Sequence, residues 1–234
     1  MGETFNAVGC HTNPAILFFA LDSLRQLSMR FLEIEELAHF KFQKEFLKPF
    51  EYIILHNDSL EVKDMVLECI NNMILARADK IKSGWKTIFG VCTAAAKENK
   101  ESIVMKAYKM ANWINKEYVE EVRLQDSFSD LVVCFTVMAK NEKFQRVSLL
   151  SLDVLSRLIH EIAQYTVLNT GEDNKQIVPD VEKNEHLVKL WFPILYGFHD
   201  IIMTGEELEV RSRALTYLFD VLMKYGQYFD FEFW

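Results

Sequence analysis

The run Leu60-Glu61-Val62-Lys63 returns near the end of the chain as Leu208-Glu209-Val210-Arg211, and each copy opens a stretch of helical periodicity. Repetition at a period near forty residues constrains a fold more than any single motif, because each unit must then bury its apolar face against its neighbours. With Val62 and Val210 as anchors, equivalent positions are Ile16, Ile103 and Val147, at successive steps of 46, 41, 44 and 63 residues. Four residues beyond the anchors stand Ala20, Val66, Ala107, Ser151 and Ala214, small or medium as close helix approach requires. Eight beyond stand Leu24, Ile70, Ala111, Leu155 and Leu218, and eleven beyond stand Leu27, Met73, Ile114, Leu158 and Val221. Five helices therefore share one register.

The intervening stretches read as partner helices. Asn13 and Pro14 are a good N-cap and first-turn pair for the first register helix. A following helix carries Phe42, Phe46, Phe50 and Ile53 with Pro49 inside it. Ser83 is placed to cap a helix bearing Trp85, Ile88, Phe89 and Cys92. Asp126 or Ser127 opens one bearing Phe128, Leu131, Phe135 and Met138, and Leu187, Leu190, Trp191, Ile194 and Phe198 lie on a helix with Pro193 inside it. Only 4 prolines and 8 glycines punctuate 234 residues, so turns are short. The run Val210-Arg211 to Ala214-Leu215 resembles a HEAT repeat. The expected fold is all-α, a HEAT/armadillo-like helical-repeat solenoid of about nine long helices in four to five hairpins, forming one domain over residues 1–234. The long 63-residue step is assigned to a mobile surface loop at 169–185, NTGEDNKQIVPDVEKNE, rich in acid and turn residues.

Residue chemistry excludes the common catalytic and metal-binding constellations. Cys10, Cys69, Cys92 and Cys134 are far apart and lack metal-spaced histidines, which reads as buried thiols in a reducing compartment. His160-Glu161 begins like a zinc-protease helix, but Gln164 occupies the second histidine position. Phosphate-binding and nucleophile-elbow motifs are absent, so neither metal nor cofactor is expected and the chain reads as no enzyme. The sixth position is Asn6, which rules out an N-myristoylation signal after Met1-Gly2. No membrane-length apolar run or signal peptide is present, and a cytosolic location is expected. A net charge of −8 argues against nonspecific nucleic-acid binding.

Four runs carry a family resemblance: FFALDSLRQLSMRFLE at 18–33, FKFQKEFLKPFE at 40–51, KSGWKTIFGV at 82–91 and ESIV at 101–104. They resemble the large brefeldin A-inhibited guanine-nucleotide-exchange proteins of the trans-Golgi, which activate Arf GTPases. The likeness is to the first homology region downstream of their catalytic domain, and it extends in weaker form along most of the chain. The Phe-Arg-Leu-Pro-Gly-Glu run that marks the exchange domain is absent from this sequence. The resemblance implies a non-catalytic regulatory module on the cytoplasmic side of the trans-Golgi membrane, peripherally associated. Its implied partners are a GTP-bound Arf-family GTPase, anionic Golgi membrane and other domains of the same exchange factor. The aromatic end, YFDFEFW at 228–234, is expected to be the start of a further element of a longer protein.

Charge singles out one surface. Between Arg77 and Lys109, eight basic residues face three acidic ones, so this window is +5 and the remainder −13. Lys41, Lys44 and Lys48 lie on one helix face, and with Lys80, Lys82 and Lys86 they make a basic edge if the two segments adjoin. That edge, with Trp85, is the expected membrane or partner surface. The alternative is a generic helical-repeat adaptor that binds a peptide or partner along its second-helix row, through Asn71, Asn72, Lys109, Asn112 and Asn115.

Overall fold

The side chain of Asn13 opens the first helix as expected, its Oδ1 accepting the amide of Ala15 at 3.0 Å, with Pro14 at a position that needs no N–H. The structure, a computed structural model, describes residues 4, 6, 9, 11, 13–37, 39–170 and 180–229. Ten α-helices follow in order among them. The first six are α1 Pro14–Leu32, α2 Phe42–His56, α3 Leu60–Arg77, α4 Gly84–Ala95, α5 Glu101–Glu117 and the short α6 Val119–Leu124. The last four are α7 Phe128–Ala139, α8 Gln145–Thr170, α9 Asp180–Thr204 and α10 Leu208–Tyr225. Single 3-10 turns lie at Ala78–Lys80 and Gly226–Tyr228, and no strand occurs among the described residues. The fold is the expected all-α helical repeat.

Packing divides this helical array into two compact units, residues 1–134 and 135–234, with the division falling inside α7. In the first unit α1 lies on α3 and α3 on α5, while α2 lies on α4, which gives two rows of helices. In the second unit α9 and α10 form the principal pair, and both touch α8. Of the stretch expected as a mobile loop, residues 169–170 close α8, 180–185 open α9, and 171–179 lie outside the described residues.

The repeat register holds where helices meet most closely. Ala20, Val66, Ala107, Ser151 and Ala214 are all buried, as are the anchors Val62, Ile103, Val147 and Val210. A fully buried large aliphatic side chain contributes roughly 1.5–3 kcal/mol, so shared anchors make neighbouring repeats cohere. Ile16 is the exception, 42% exposed. The buried stripe of α1 is Leu17, Ala20, Leu21, Leu24, Ser28 and Leu32, which keeps Ala20 and Leu24 of the expected face and leaves Ile16 exposed and Leu27 half-buried. Its stripe faces α3 and α2, and Ile16 lies at the margin of that contact.

On α2 the buried face likewise runs through Gln43, Leu47, Phe50, Ile53 and Ile54, with Phe42 and Phe46 half-buried beside Phe31. Pro49 and Pro193 lie inside α2 and α9 as expected. Trp85, Ile88, Phe89 and Cys92 on α4, and Phe128, Leu131, Phe135 and Met138 on α7, are all buried. So are Leu190, Trp191, Ile194 and Phe198 on α9, while the side chain of Leu187 lies outside the described set. Asp126, before α7, has φ 54, a left-handed turn that aspartate tolerates better than most residues.

Candidate functional site

Residues 33–41 join α1 to α2, and their only buried side chain in the described set is a carboxylate. Glu36 is 4% exposed. Its Oε1 accepts the Ser83 hydroxyl at 2.7 Å and the Gln43 amide at 2.8 Å, and its Oε2 accepts the Ser83 amide at 2.9 Å. The Gln43 side chain completes the seam, donating to the Lys80 carbonyl at 2.9 Å and accepting the Lys82 amide at 2.7 Å. The α1–α2 loop is thereby sewn to the turn between α3 and α4. Ser83, expected as a helix cap, makes no capping bond, because its Oγ is committed to Glu36 and to the Lys44 amide at 3.2 Å.

This seam has a consequence that periodicity did not reveal. Ile34, Leu37 and Phe40 stand on the pinned loop 55%, 68% and 67% exposed. Large apolar side chains held into water on an ordered loop mark a contact surface more often than isolated exposed leucines do. The signal available in sequence was the EIEELAHFK run itself, whose apolar residues fit neither flanking helix face.

The seam brings the two lysine segments together and then sorts them. Lys41 and Lys80 are exposed beside the apolar loop, Lys80 lying 3.5 Å from Asp79. Lys82 is not a free surface charge: its Nζ donates to the Glu36 carbonyl at 3.0 Å and lies 3.6 Å from Glu35. Lys44, Lys48 and Lys86 line a separate groove of about 440 Å³ between α2, α4 and α7. There Lys48 pairs with Glu45 at 2.6 Å, and that hydrogen bond holds the Glu45 carboxyl below its ordinary value. Lys86 reaches Asp130 only at 4.0 Å.

Trp85 does not belong to the surface. It is 0% exposed, packed 6.2 Å from both Phe89 and Tyr118, because the first turn of α4 points into the core. The alternative row is also reduced. Asn72 and Lys109 are exposed, and Asn71 and Asn112 half-buried, but Asn115 is buried, and the amide oxygens of Asn112 and Asn115 have no hydrogen-bond partner among the described residues. Lys106, which shares that helix, is held by Asp64 and Glu68 of α3 at 2.7 and 2.6 Å.

Cys69, Cys92 and Cys134 are free and buried, as expected, and Cys10 lies outside the described residues. Burial pushes Cys69 up to about 11, while a hydrogen bond with Cys134, together with burial, raises Cys92 well above the usual thiol range. No cluster of residues suited to a metal ion occurs among the described residues, and none of their helices is long and apolar enough to cross a membrane.

A helical repeat with a stapled, exposed apolar loop beside lysines has the build of an interaction module. Residues 30–113, which contain that loop and its basic turn, match the Mon2/Sec7/BIG1-like HDS family and constitute a Sec7-like HDS region. Over its whole length the chain is 44% identical to the ADP-ribosylation factor guanine nucleotide-exchange factor SEC7 of Saccharomyces cerevisiae. It is 43% identical to sec72 of Schizosaccharomyces pombe, an exchange factor of the same description, and 39% identical to brefeldin A-inhibited guanine nucleotide-exchange protein 1 of Homo sapiens. The chain spans 12%, 12% and 13% of the length of these relatives.

Proposed function

We propose that this chain is a non-catalytic regulatory module of a Golgi Arf guanine-nucleotide-exchange factor. It acts at the cytoplasmic face of the trans-Golgi membrane, controlling recruitment and exchange through contact with GTP-bound Arf, anionic lipid or other domains of the same protein. The observation that carries this reading is the stapled loop, where Ile34, Leu37 and Phe40 project beside Lys41 and Lys80. Similarity to Arf exchange factors over the full chain supplies the biological context.

The physics favours a weak contact that works in combination. A basic residue near an anionic surface contributes about 1 kcal/mol, screened within a Debye length of roughly 8 Å at physiological salt. Two lysines and a few partly buried apolar side chains give weak anchoring alone. Linked to a membrane-held GTPase, the same contact gains by effective concentration.

Flotation with anionic liposomes, with and without GTP-loaded, membrane-anchored Arf, tests the reading. Binding is expected to fall with salt and to fall sharply in Lys41→Glu/Lys80→Glu and in Leu37→Ser/Phe40→Ser, all at exposed positions. Lys82 is left intact because it holds the loop. The isolated chain is expected not to accelerate nucleotide release from Arf. Folded variants that float as well as the parent chain at every salt concentration would refute the assignment of the loop edge.

A further inference from the structure

The groove between α2, α4 and α7 has a chemistry unlike that of the loop edge, and it lies wholly within the first unit. Its floor is α4, where Thr87, Gly90 and Ala94 leave room. The Glu51 side chain leans over Gly90 so closely that a Cβ there would lie 2.7 Å from its Oε1. Leu55 and Val133, both more than half exposed, provide apolar walls.

Glu51 makes no hydrogen bond or ion pair among the described residues. Lys48, one turn before it, is taken by Glu45. Across the groove the one ion partner of Asp130 among the described residues is Lys86, at 4.0 Å and itself largely in solvent. Burial raises both carboxyls above their ordinary values, which is what half-desolvated, under-compensated carboxylates do. On the rim, Lys97 forms no ion pair among the described residues, and Lys44 has only its electrostatic attraction to Glu45.

A carboxylate leaning over the floor, between apolar walls and under a basic rim, selects its occupant. A cation answers Glu51, and guanidinium does so best, being planar, weakly hydrated and rich in donors. The rim repels a bare cation, so the cation must arrive with flanking carboxylates. A purely acidic peptide or a lipid phosphate would instead set an anion against Glu51.

We propose that this groove docks a segment of a partner protein that inserts an arginine against Glu51, between Leu55 and Val133, with acidic residues on either side meeting Lys44 and Lys97. The site is independent of the loop edge and of the reading built on it.

The test titrates the isotopically labelled chain with a capped peptide, Glu-Ala-Leu-Arg-Ala-Leu-Glu, followed by amide NMR shifts. The control replaces its arginine by citrulline, which keeps the shape and loses the charge. Expected are shifts at Gly90, Thr93 and Val133, and binding about ten-fold tighter for arginine than for citrulline. Glu51→Gln should erase that difference, and Lys97→Glu should weaken the arginine peptide several-fold. The arginine–citrulline comparison on the unaltered chain keeps the test decisive even if a variant fails to fold. Equal affinities, no binding at millimolar peptide, or shifts confined to residues 34–40 overturn the proposal; the last outcome would place the peptide on the loop edge.

Discussion

Glu36 and Ser83, 47 residues apart in the chain, are joined twice, hydroxyl to carboxylate at 2.7 Å and amide to carboxylate at 2.9 Å. This pair fixes the orientation of the exposed loop against the basic turn. Glu36→Gln should therefore destabilise the fold by roughly 2–3 kcal/mol, the usual cost when buried donors lose a charged acceptor. Chemical denaturation measures it. A change below about 0.5 kcal/mol would mean the loop is held by something else.

The register makes an asymmetric claim about two isoleucines in equivalent positions. Ile103→Ala, 2% exposed, should cost about 2–5 kcal/mol, whereas Ile16→Ala, 42% exposed, should cost under about 1 kcal/mol. Parallel denaturant melts of the two variants decide this, and similar losses would restore Ile16 to the core.

Lys63 and Glu98 form the most enclosed ion pair in the first unit, at 2.6 Å, with the lysine side chain 7% exposed. Removing either partner should cost more than removing both, because the survivor is stranded. A double-mutant cycle with Lys63→Met and Glu98→Gln should return a coupling of about 1–3 kcal/mol. Additive losses would show that the pair contributes nothing beyond its separate side chains.

Glu51 gives a pH dependence of definite sign. Burial holds its folded carboxyl above the ordinary value, so the folded chain binds this proton more tightly than the unfolded one. Its destabilising effect is absent well below the unfolded value near 4.3, grows as pH rises through the raised folded value, and is complete at neutral pH. Glu51→Gln should raise Tm at pH 7, and the gain should vanish below about pH 4. Melts across that range check it; a variant less stable at pH 7 would reveal a hidden partner for the carboxylate.

What was legible in the sequence is what local spacing dictates. Steps near forty residues located the repeated helices, and the small-residue row from Ala20 to Ala214 is buried at every member, because helix contact demands both periodicity and limited bulk. The four excerpts that resembled exchange factors rest on the same kind of linear information.

Tertiary structure decided the rest. The spacing put Ile16 in the same position as Val62, Ile103, Val147 and Val210, yet it is exposed and they are buried, since burial depends on how the helices pack and not on spacing alone. Trp85, which the sequence placed both among the apolar residues of its helix and in the basic edge, is core. The lysines formed one set in sequence and two in space, divided by a seam in which Glu36 and Gln43 hydrogen-bond with residues some forty positions away. No local pattern encodes such bonds, since their partners meet only once the helices have packed. The same packing leaves Ile34, Leu37 and Phe40 in water and Glu51 half-buried with no hydrogen-bond partner among the described residues.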